Sequence, residues 1–581
     1  MKSEEVKTMA SNSKSIVQRP PEEERILLLL LPFWTPLIPP MGISSLKSFL
    51  GGHGYPVKTV DVNVEPELGE MGYQYFNSLK EFIPRSRWGN FYNLGHNVLR
   101  NHQMAHLNQQ DETAYQELVQ ILAARFFYHE LSPVQVNRLT EIVAEFYGRL
   151  KRYLLKLYAE ERPTVLGISV FGGTLAPSVF AFRLMKELDP RVRTIMGGGV
   201  FADQMTLGSP NLEYFLEKTP WIDQIIIGEG QKLFLRWLRG ELPEAKRVVT
   251  LKDIQGETMA FEGGALPDYE DLNLGHYPYL GATGSKSCPN QCSFCNVARF
   301  WGRHLVKEPR QTAAEMTALY HKYGFQLFFM TDSLLNPIAS ELAQEFIDSG
   351  LIIYWDGYYR VDEAGCNPEN TILWRRGGFY RARMGVESGS QHVLDMMGKK
   401  ITPQEIRKVV STFANAGIKT TTYWVIGHPG ETESDFQQTL DLLTELKDDI
   451  WEAECNPFYY FYNGQASSEE WARKRILVYP ESAREMLISQ TWDVDCEPSR
   501  EEVYRRVFRF TELCDQMGIP NPYTLTEVQT ADERWKKLHH NAVPSLIDFQ
   551  GKGHYVDEHL AVKKLIRAGT PALDDQNFEF F

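Results

Sequence analysis

Three of the seven cysteines lie within eight residues, in Ser287-Cys288-Pro-Asn-Gln-Cys292-Ser-Phe-Cys295, a C-x3-C-x2-C spacing. The other four, Cys366, Cys455, Cys496 and Cys514, are scattered. An odd count argues against a disulfide framework and for reduced thiols or a metal centre. Thiolates are soft ligands suited to zinc or to iron–sulfur clusters. Three in one loop can hold three corners of a cubane 4Fe–4S cluster and leave the fourth iron open to a substrate or cofactor. The alternatives are a zinc knob, for which His304 is the nearest fourth ligand, and chance clustering.

A second set of residues is defined by smallness. Three successive apolar segments end in glycine: Thr164-Val-Leu-Gly-Ile-Ser169-Val with Gly172-Gly173, Arg193-Thr-Ile-Met with Gly197-Gly198-Gly199, and Gln224-Ile-Ile-Ile with Gly228-Glu229-Gly230. In open parallel sheets ligands sit beyond the carboxyl ends of the strands. Missing side chains at three adjacent ends would leave a groove of backbone for a bulky cofactor. The order matches neither the GxGxxG dinucleotide turn nor the P-loop.

The elements that must position these residues fall into an α/β pattern. Arg25 to Pro32 is a continuous apolar run, as in a strand buried on both faces. A helix from about Gly42 to Leu50 and a strand at Tyr55–Asp61 follow. Tyr73 to Glu160 then reads as a helical insertion. Ser132-Pro133 is a start signal, and Leu139, Ile142, Val143, Phe146, Leu150, Leu154 and Leu157 recur at helical spacing, as in a packed helix face. After an irregular, acidic linker at 251–273, six strands alternate with helices: Tyr279–Ser285, Gln326–Met330, Leu351–Trp355, Tyr380–Gly385, Thr420–Ile426 and Glu454–Tyr460. Six β/α units predict a partial barrel with its chemistry at the C-terminal strand ends.

With 61 basic and 75 acidic residues among 581, the net charge is −14. This excludes a general nucleic-acid binder, which needs a basic excess. Hydrophobic residues at 43% and charged residues at 23% exclude wholesale disorder. The apolar run Ile26–Leu31 is far short of the ~20 residues that span a bilayer. The polar leader 1–24 before it does not read as a secretory signal, so a cytoplasmic protein without a membrane span is expected.

The cysteine loop, with Phe294 before the last cysteine, resembles the signature of the radical S-adenosylmethionine (SAM) superfamily. So do Gly385-Val-Glu-Ser-Gly-Ser390 with Val393 to Lys399, and Ala416-Gly-Ile-Lys419 with Ile426-Gly-His-Pro-Gly-Glu431. The match covers about 180 residues in the order of that superfamily's motifs. The resemblance implies that Cys288, Cys292 and Cys295 hold a 4Fe–4S cluster whose open iron chelates SAM. It implies SAM contacts from Phe294, Glu387, Ser388, Gly389 and Gly427, with Arg360 and, further off, Asp332 as candidates for the carboxylate.

The first domain resembles the cobalamin-binding domain of one large subgroup, through Leu166-Gly-Ile-Ser169, Met196 to Val200 and Asp223 to Gly230. Implied cobalamin contacts are Ser169, Gly172, Gly198, Gly199, Gly228, Glu229 and Gly230. The D-x-H-x-x-G motif that ligates cobalt in other cobalamin proteins is absent, and His53 in Gly52-His-Gly54 reads as a turn residue.

The implied fold is a Rossmann-like, doubly wound cobalamin-binding domain at 25–250 with its insertion at 73–160. A radical SAM partial (β/α)6 barrel at 274–465 and a mixed, mostly helical region at 466–581 follow. The implied function is methyl transfer from SAM via methylcobalamin to an unactivated carbon, or phosphinate phosphorus, of a specialised-metabolite precursor. Ring formation, rearrangement or oxidation with the same cofactors is the alternative, and a non-catalytic iron–sulfur or zinc sensor a remote one. Expected partners are a small-molecule or carrier-bound substrate and an external electron donor such as flavodoxin or ferredoxin. Two features are left open: Cys455, placed near the barrel mouth, and the aromatic run Asn456 to Gly464, which either lines a pocket or packs.

Overall fold

A computed structural model describes residues 19–243, 246–255, 266–462 and 469–549. Met1 to Gln18 of the expected leader, part of the linker and Asn463-Gly464 of the aromatic run lie outside the described residues.

The first sheet is parallel throughout, in the order β2-β1-β3-β4-β5-β6. Its strands are β1 (Ile26–Leu30), β2 (Val57–Asp61), β3 (Val165–Ser169), β4 (Arg193–Gly197), β5 (Gln224–Ile227) and β6 (Val248–Thr250). The apolar run of β1 is unbroken because both faces are covered. Leu27 and Leu29 join the core shared with the insertion, while Ile26, Leu28 and Leu30 join the core under helices Met41–Gly51 and Gln231–Leu238. The sixth strand, β6, is short and was not anticipated.

The insertion is four helices, Pro66–Phe82, Phe91–Asn108, Glu112–Phe127 and Pro133–Glu161. Ser132 caps the last of them in a capping box with Gln135. The apolar stripe of that helix is buried from Leu139 to Leu157, so it is a packed face as expected.

The second sheet is also parallel and runs β14-β13-β12-β11-β10-β7. Its strands are β7 (Leu280–Ala282), β10 (Leu327–Met330), β11 (Tyr354–Tyr359), β12 (Phe379–Glu387), β13 (Lys419–Ile426) and β14 (Glu452–Pro457). β7 and β14 end the order unpaired, so the barrel is open. The strand expected over Glu454–Tyr460 spans Glu452–Pro457 instead, and two further boundaries differ from expectation. Ser285 leaves the first barrel strand and joins β8 (Ser285–Lys286), which pairs antiparallel with β9 (Leu305–Val306). The third strand begins where Leu351–Trp355 was to end, because it contains Asp356 and Gly357, which look like turn residues. Asp356 is instead buried between two arginines, and a Cβ on Gly357 would lie 3.0 Å from Met330 Cβ.

Beyond β14 come a ribbon of β15 (Arg475–Leu477) and β16 (Trp492–Val494) and the helices Arg500–Met517 and Leu525–Leu538. Helix Leu525–Leu538 closes the N-terminal end of the barrel, where Asp532 pairs with the buried Lys419 at 2.5 Å and accepts from Trp451 Nε1 at 2.9 Å. The two sheets are tied through Asp61, which accepts from Tyr277 Oη at 2.6 Å, and through Asp271, which accepts from Thr59 N at 2.9 Å.

Candidate active site

The cysteine loop hangs from the β8–β9 clamp. Ser287 Oγ donates to Gly302 O at 2.7 Å and closes its base. Ser293 N donates to Met397 O at 2.8 Å and pins its tip to the C-terminal end of the short helix Gln391–Met396 that follows β12. All three thiols are free, Cys292 buried and the other two half-buried. Asn290 Nδ2 lies 3.4 Å from Cys288 Sγ and Arg360 Nη1 lies 3.6 Å from Cys292 Sγ. Burial, and then the neighbouring thiols, push the Cys295 thiol up. N–H donors aimed at sulfur are what a thiolate cluster needs to offset its negative charge. Among the described residues no three histidine, cysteine or carboxylate groups converge closely enough to share one ion. A mononuclear zinc knob demands that convergence, whereas a cubane spreads its thiolates over separate irons. Three cysteines in one loop, two of them approached by N–H donors, are a donor set that fits the cluster.

The end of β12 supports this loop. Glu387 sits at a register shift against β13 with φ of 62°, a conformation rare outside glycine. The irregularity turns its carboxylate onto Lys399, and the Lys399 ammonium lies 5.6 Å from the centre of the Phe294 ring. Glu387, Lys399 and Phe294 thus form one chain from strand end to cluster loop. Ser388 and Gly389 turn away from it. Ser388 Oγ pairs with Thr439 Oγ1 at 3.0 Å, and a Cβ on Gly389 would meet helix Glu433–Glu445 at 2.8 Å from Thr439 Cα. Gly427 has φ of +80°, and the space for its Cβ is taken by Val503, whose Cγ1 is 2.6 Å away. Packing against the helices that follow therefore already accounts for glycine at 389 and 427 and for the position of the Ser388 hydroxyl. Asp332 is likewise structural: it accepts from Gly284 N at 2.9 Å, and burial pushes its carboxyl up to about 6.

The concave floor of the barrel holds a charge network that the motifs did not announce. Asp356 accepts from Arg381 Nε and Arg383 Nε, each at 2.7 Å. Arg381 Nη1 also lies 3.6 Å from Glu452 Oε2. One level higher, Arg383 Nη1 donates to Tyr423 Oη at 3.2 Å, and the rings of Tyr423 and Tyr358 stack 6.0 Å apart. Burial raises Glu452 and Glu454 to about 7. Charges on alternate residues of otherwise buried strands, Arg381 with Arg383 and Glu452 with Glu454, are the signal that could have revealed this face. Cys455 points the other way: it is buried beside Cys514, on the helix side of β14.

The C-terminal ends of the two sheets share a cavity of about 390 Å3. Ser169, Gly198, Gly228, Glu229 and Gly230 line it from the first sheet, and Thr283, Ser285, Lys286 and Ser287 from the foot of the cysteine loop. Lys286 Nζ pairs with Glu229 Oε1 across it at 2.7 Å. Gly172 and Gly199 do not line it. The first lies under Arg100 of the insertion and the second against the Phe171 ring, so their missing side chains serve packing. The cavity has the size of a pocket for a small organic group, and no histidine lines it. His53 is exposed and bonds its own helix at Phe49 O, as a turn residue would. The aromatic run packs: Tyr459 Oη donates to Asp203 Oδ1 at 3.1 Å, Tyr460 is buried, and Phe458 lies 5.7 Å from Trp471.

Residues 284–443 match the family model for the radical SAM superfamily. The chain contains a radical SAM domain. It is 21% identical over 341 residues to an anaerobic magnesium-protoporphyrin IX monomethyl ester cyclase of Rubrivivax gelatinosus, covering 54% of this chain and 59% of that protein. It is 24% identical over 323 residues to an uncharacterized methyltransferase of Pyrococcus horikoshii, covering 50% of this chain and 66% of that one. The chain thus spans from about half to two thirds of the length of the curated relatives it matches. Among solved structures, the fold resembles the radical SAM methyltransferase TsrM from Kitasatospora setae. The TM-score is 0.59 at 13% identity, over 94% of this chain and all of that one. No helix among the described residues is long and apolar enough to cross a membrane.

Proposed function

We propose that the chain is a cytoplasmic, cobalamin-dependent radical SAM methyltransferase. Its reaction transfers a methyl group from SAM via cobalamin to an unactivated carbon, or phosphinate phosphorus, of a specialised-metabolite precursor. The observation that carries this reading is the cavity at which the C-terminal ends of both parallel sheets meet. It is walled by glycine backbone on one side and by the foot of the cysteine loop on the other. Such a place suits one part of a second cofactor held beside the first. The fold likeness to a solved methyltransferase over nearly the whole chain is consistent with it.

In this reading Cys288, Cys292 and Cys295 hold the cluster, and Arg360 and Lys399 offset its negative charge. Phe294, Arg360 and Glu387 are the contacts for SAM. Ser169, Gly198, Gly228, Glu229 and Gly230 cradle part of cobalamin, with no histidine for the cobalt. The bound groups supply an electron for carbon–sulfur cleavage and a methyl carrier; the protein supplies position and dryness. The electron comes from an external donor such as flavodoxin or ferredoxin, and the substrate is a small or carrier-bound molecule.

Turnover with methyl-labelled SAM tests the proposal. Labelled product with both deoxyadenosine and S-adenosylhomocysteine is expected; unlabelled product from a turning-over enzyme would refute methyl transfer. Deoxyadenosine without S-adenosylhomocysteine would select ring formation or oxidation, the reading that the cyclase relatives favour.

A further inference from the structure

The concave face of the second sheet carries one carboxylate more than its cations offset. Asp356 and Glu452 face Arg381 and Arg383. Lys419, deeper in the barrel, is matched by Asp532. Glu454 has no such partner: among the described residues no lysine, arginine or histidine nitrogen lies within ion-pair distance of it. It is nevertheless only 7% exposed. Its Oε1 accepts from Asn456 Nδ2 at 2.9 Å and from Asn93 Nδ2 at 3.4 Å. Its Oε2 accepts from no described residue and is not sealed in protein. A buried carboxylate without a cation is costly, and the cost is tolerated where a ligand completes the site.

Two further features point to the same occupant. Asn93 comes from the insertion helix Phe91–Asn108, whose N-terminal end reaches β14 where Asn90 Nδ2 donates to Cys455 O at 3.4 Å, and its Oδ1 is buried with no partner. Beside the carboxylate stands an aromatic wall of Phe329, Tyr358 and Tyr423, with Phe329 and Tyr358 6.5 Å apart, edge to face. Tyr358 points into the concavity yet keeps 37% of its surface accessible, so the wall borders open space. Arg383 already covers the Phe329 ring at 4.9 Å, so the uncompensated Glu454 carboxylate, held by Asn93, and the accessible Tyr358 ring are the groups that suit a cation that also donates hydrogen bonds.

We infer that Glu454 and Asn93, with the aromatic wall, form a subsite for a protonated amine of the substrate. The subsite rests on the proposed reading only in that the substrate must enter the barrel mouth. The insertion is then a recognition element that completes the barrel at its unpaired edge. Arg383, Glu452, Tyr358, Tyr423 and Tyr523 are the charged and titratable groups that face Glu454.

The test compares benzylamine with its neutral counterpart, benzyl alcohol, by calorimetric titration of the full-length reconstituted protein without reductant. The amine should bind about tenfold or more tighter at pH 8, as a charge-assisted hydrogen bond predicts. Glu454→Gln should abolish that preference while leaving iron content and SAM affinity unchanged. The unaltered protein supplies a second measurement: the preference should fall as pH is lowered from 8 to 6 and Glu454 takes up a proton. Equal binding of the two probes, binding of neither, or a preference unmoved by both the substitution and the pH would overturn the inference. So would a loss of SAM affinity in Glu454→Gln. Because no turnover is involved, these outcomes are separate from those of the methyl-label experiment.

Discussion

Gly427 can be asked directly whether it serves the cofactor or the fold. Its φ of +80° would cost an alanine about 1 kcal/mol. The new Cβ would overlap Val503, whose Cγ1 and Cβ lie 2.6 and 2.9 Å away. Val503 cannot retreat, because its helix is anchored three residues on, where Arg506 Nη1 donates to Glu431 Oε2 at 2.9 Å. The same oxygen accepts from Gly427 N at 2.9 Å. Overpacking of this kind adds about 2 kcal/mol, so Gly427→Ala should cost about 3 kcal/mol. Val503→Ala alone removes two buried methyl groups and should cost about 2 kcal/mol. In the double variant the nearer overlap is gone and the new methyl occupies the vacated space. The cost should be about 3 kcal/mol rather than the additive 5, a coupling of about 2 kcal/mol. Urea midpoints measure the four corners, and deoxyadenosine yield should follow them, the double variant matching Gly427→Ala instead of falling below it. Additive midpoints would refute the packing argument. So would a Gly427→Ala protein of normal stability that fails to cleave SAM.

Three other predictions follow from the same geometry. Arg360→Gln removes a cationic donor from Cys292 Sγ, so the cluster's midpoint potential should fall in a redox titration; an unchanged or higher value refutes the contact. Gly230→Leu adds bulk to the shared cavity without backbone strain, since only Leu46 comes within 4 Å of the added Cβ. Retained aquocobalamin after gel filtration should drop while iron content stays, and full retention would count against the cobalamin cradle. Glu454, raised to about 7 from an ordinary 4.5, favours the fold below pH 4.5 and penalises it as pH rises toward and beyond 7. Glu454→Gln should therefore gain about 3 kcal/mol over the parent between pH 5 and 8, with Glu452 still titrating in both. A constant difference across that range would show that Glu454 is not held protonated by burial.

The cysteine loop, most strands of both parallel sheets and the helical character of the insertion were legible in the sequence because each rests on local pattern. Spacing defines the thiols, unbroken apolar runs define strands covered on two sides, and a Ser-Pro start with helical periodicity defines the helix at Pro133. What was not legible depended on which neighbour a residue would meet. Gly172, Gly199, Gly389 and Gly427 look like ligand-facing glycines, yet Arg100, Phe171, helix Glu433–Glu445 and Val503 occupy their open sides. Cys455 was expected near the barrel mouth, but strand alternation turned it outward and left Glu454 and Asn456 inside.

By itself, then, the sequence determined the chemistry that the chain can hold. Three thiols in one loop cannot avoid one another, because a few residues of chain keep them together whatever the rest does. Tertiary structure decided what surrounds that chemistry. Only folding brings Glu229 to Lys286, Arg360 to Cys292, and Asn93 to Glu454, pairs separated by 57, 68 and 361 positions. Their energies depend on distance and burial in space, and neither is a property of sequence separation.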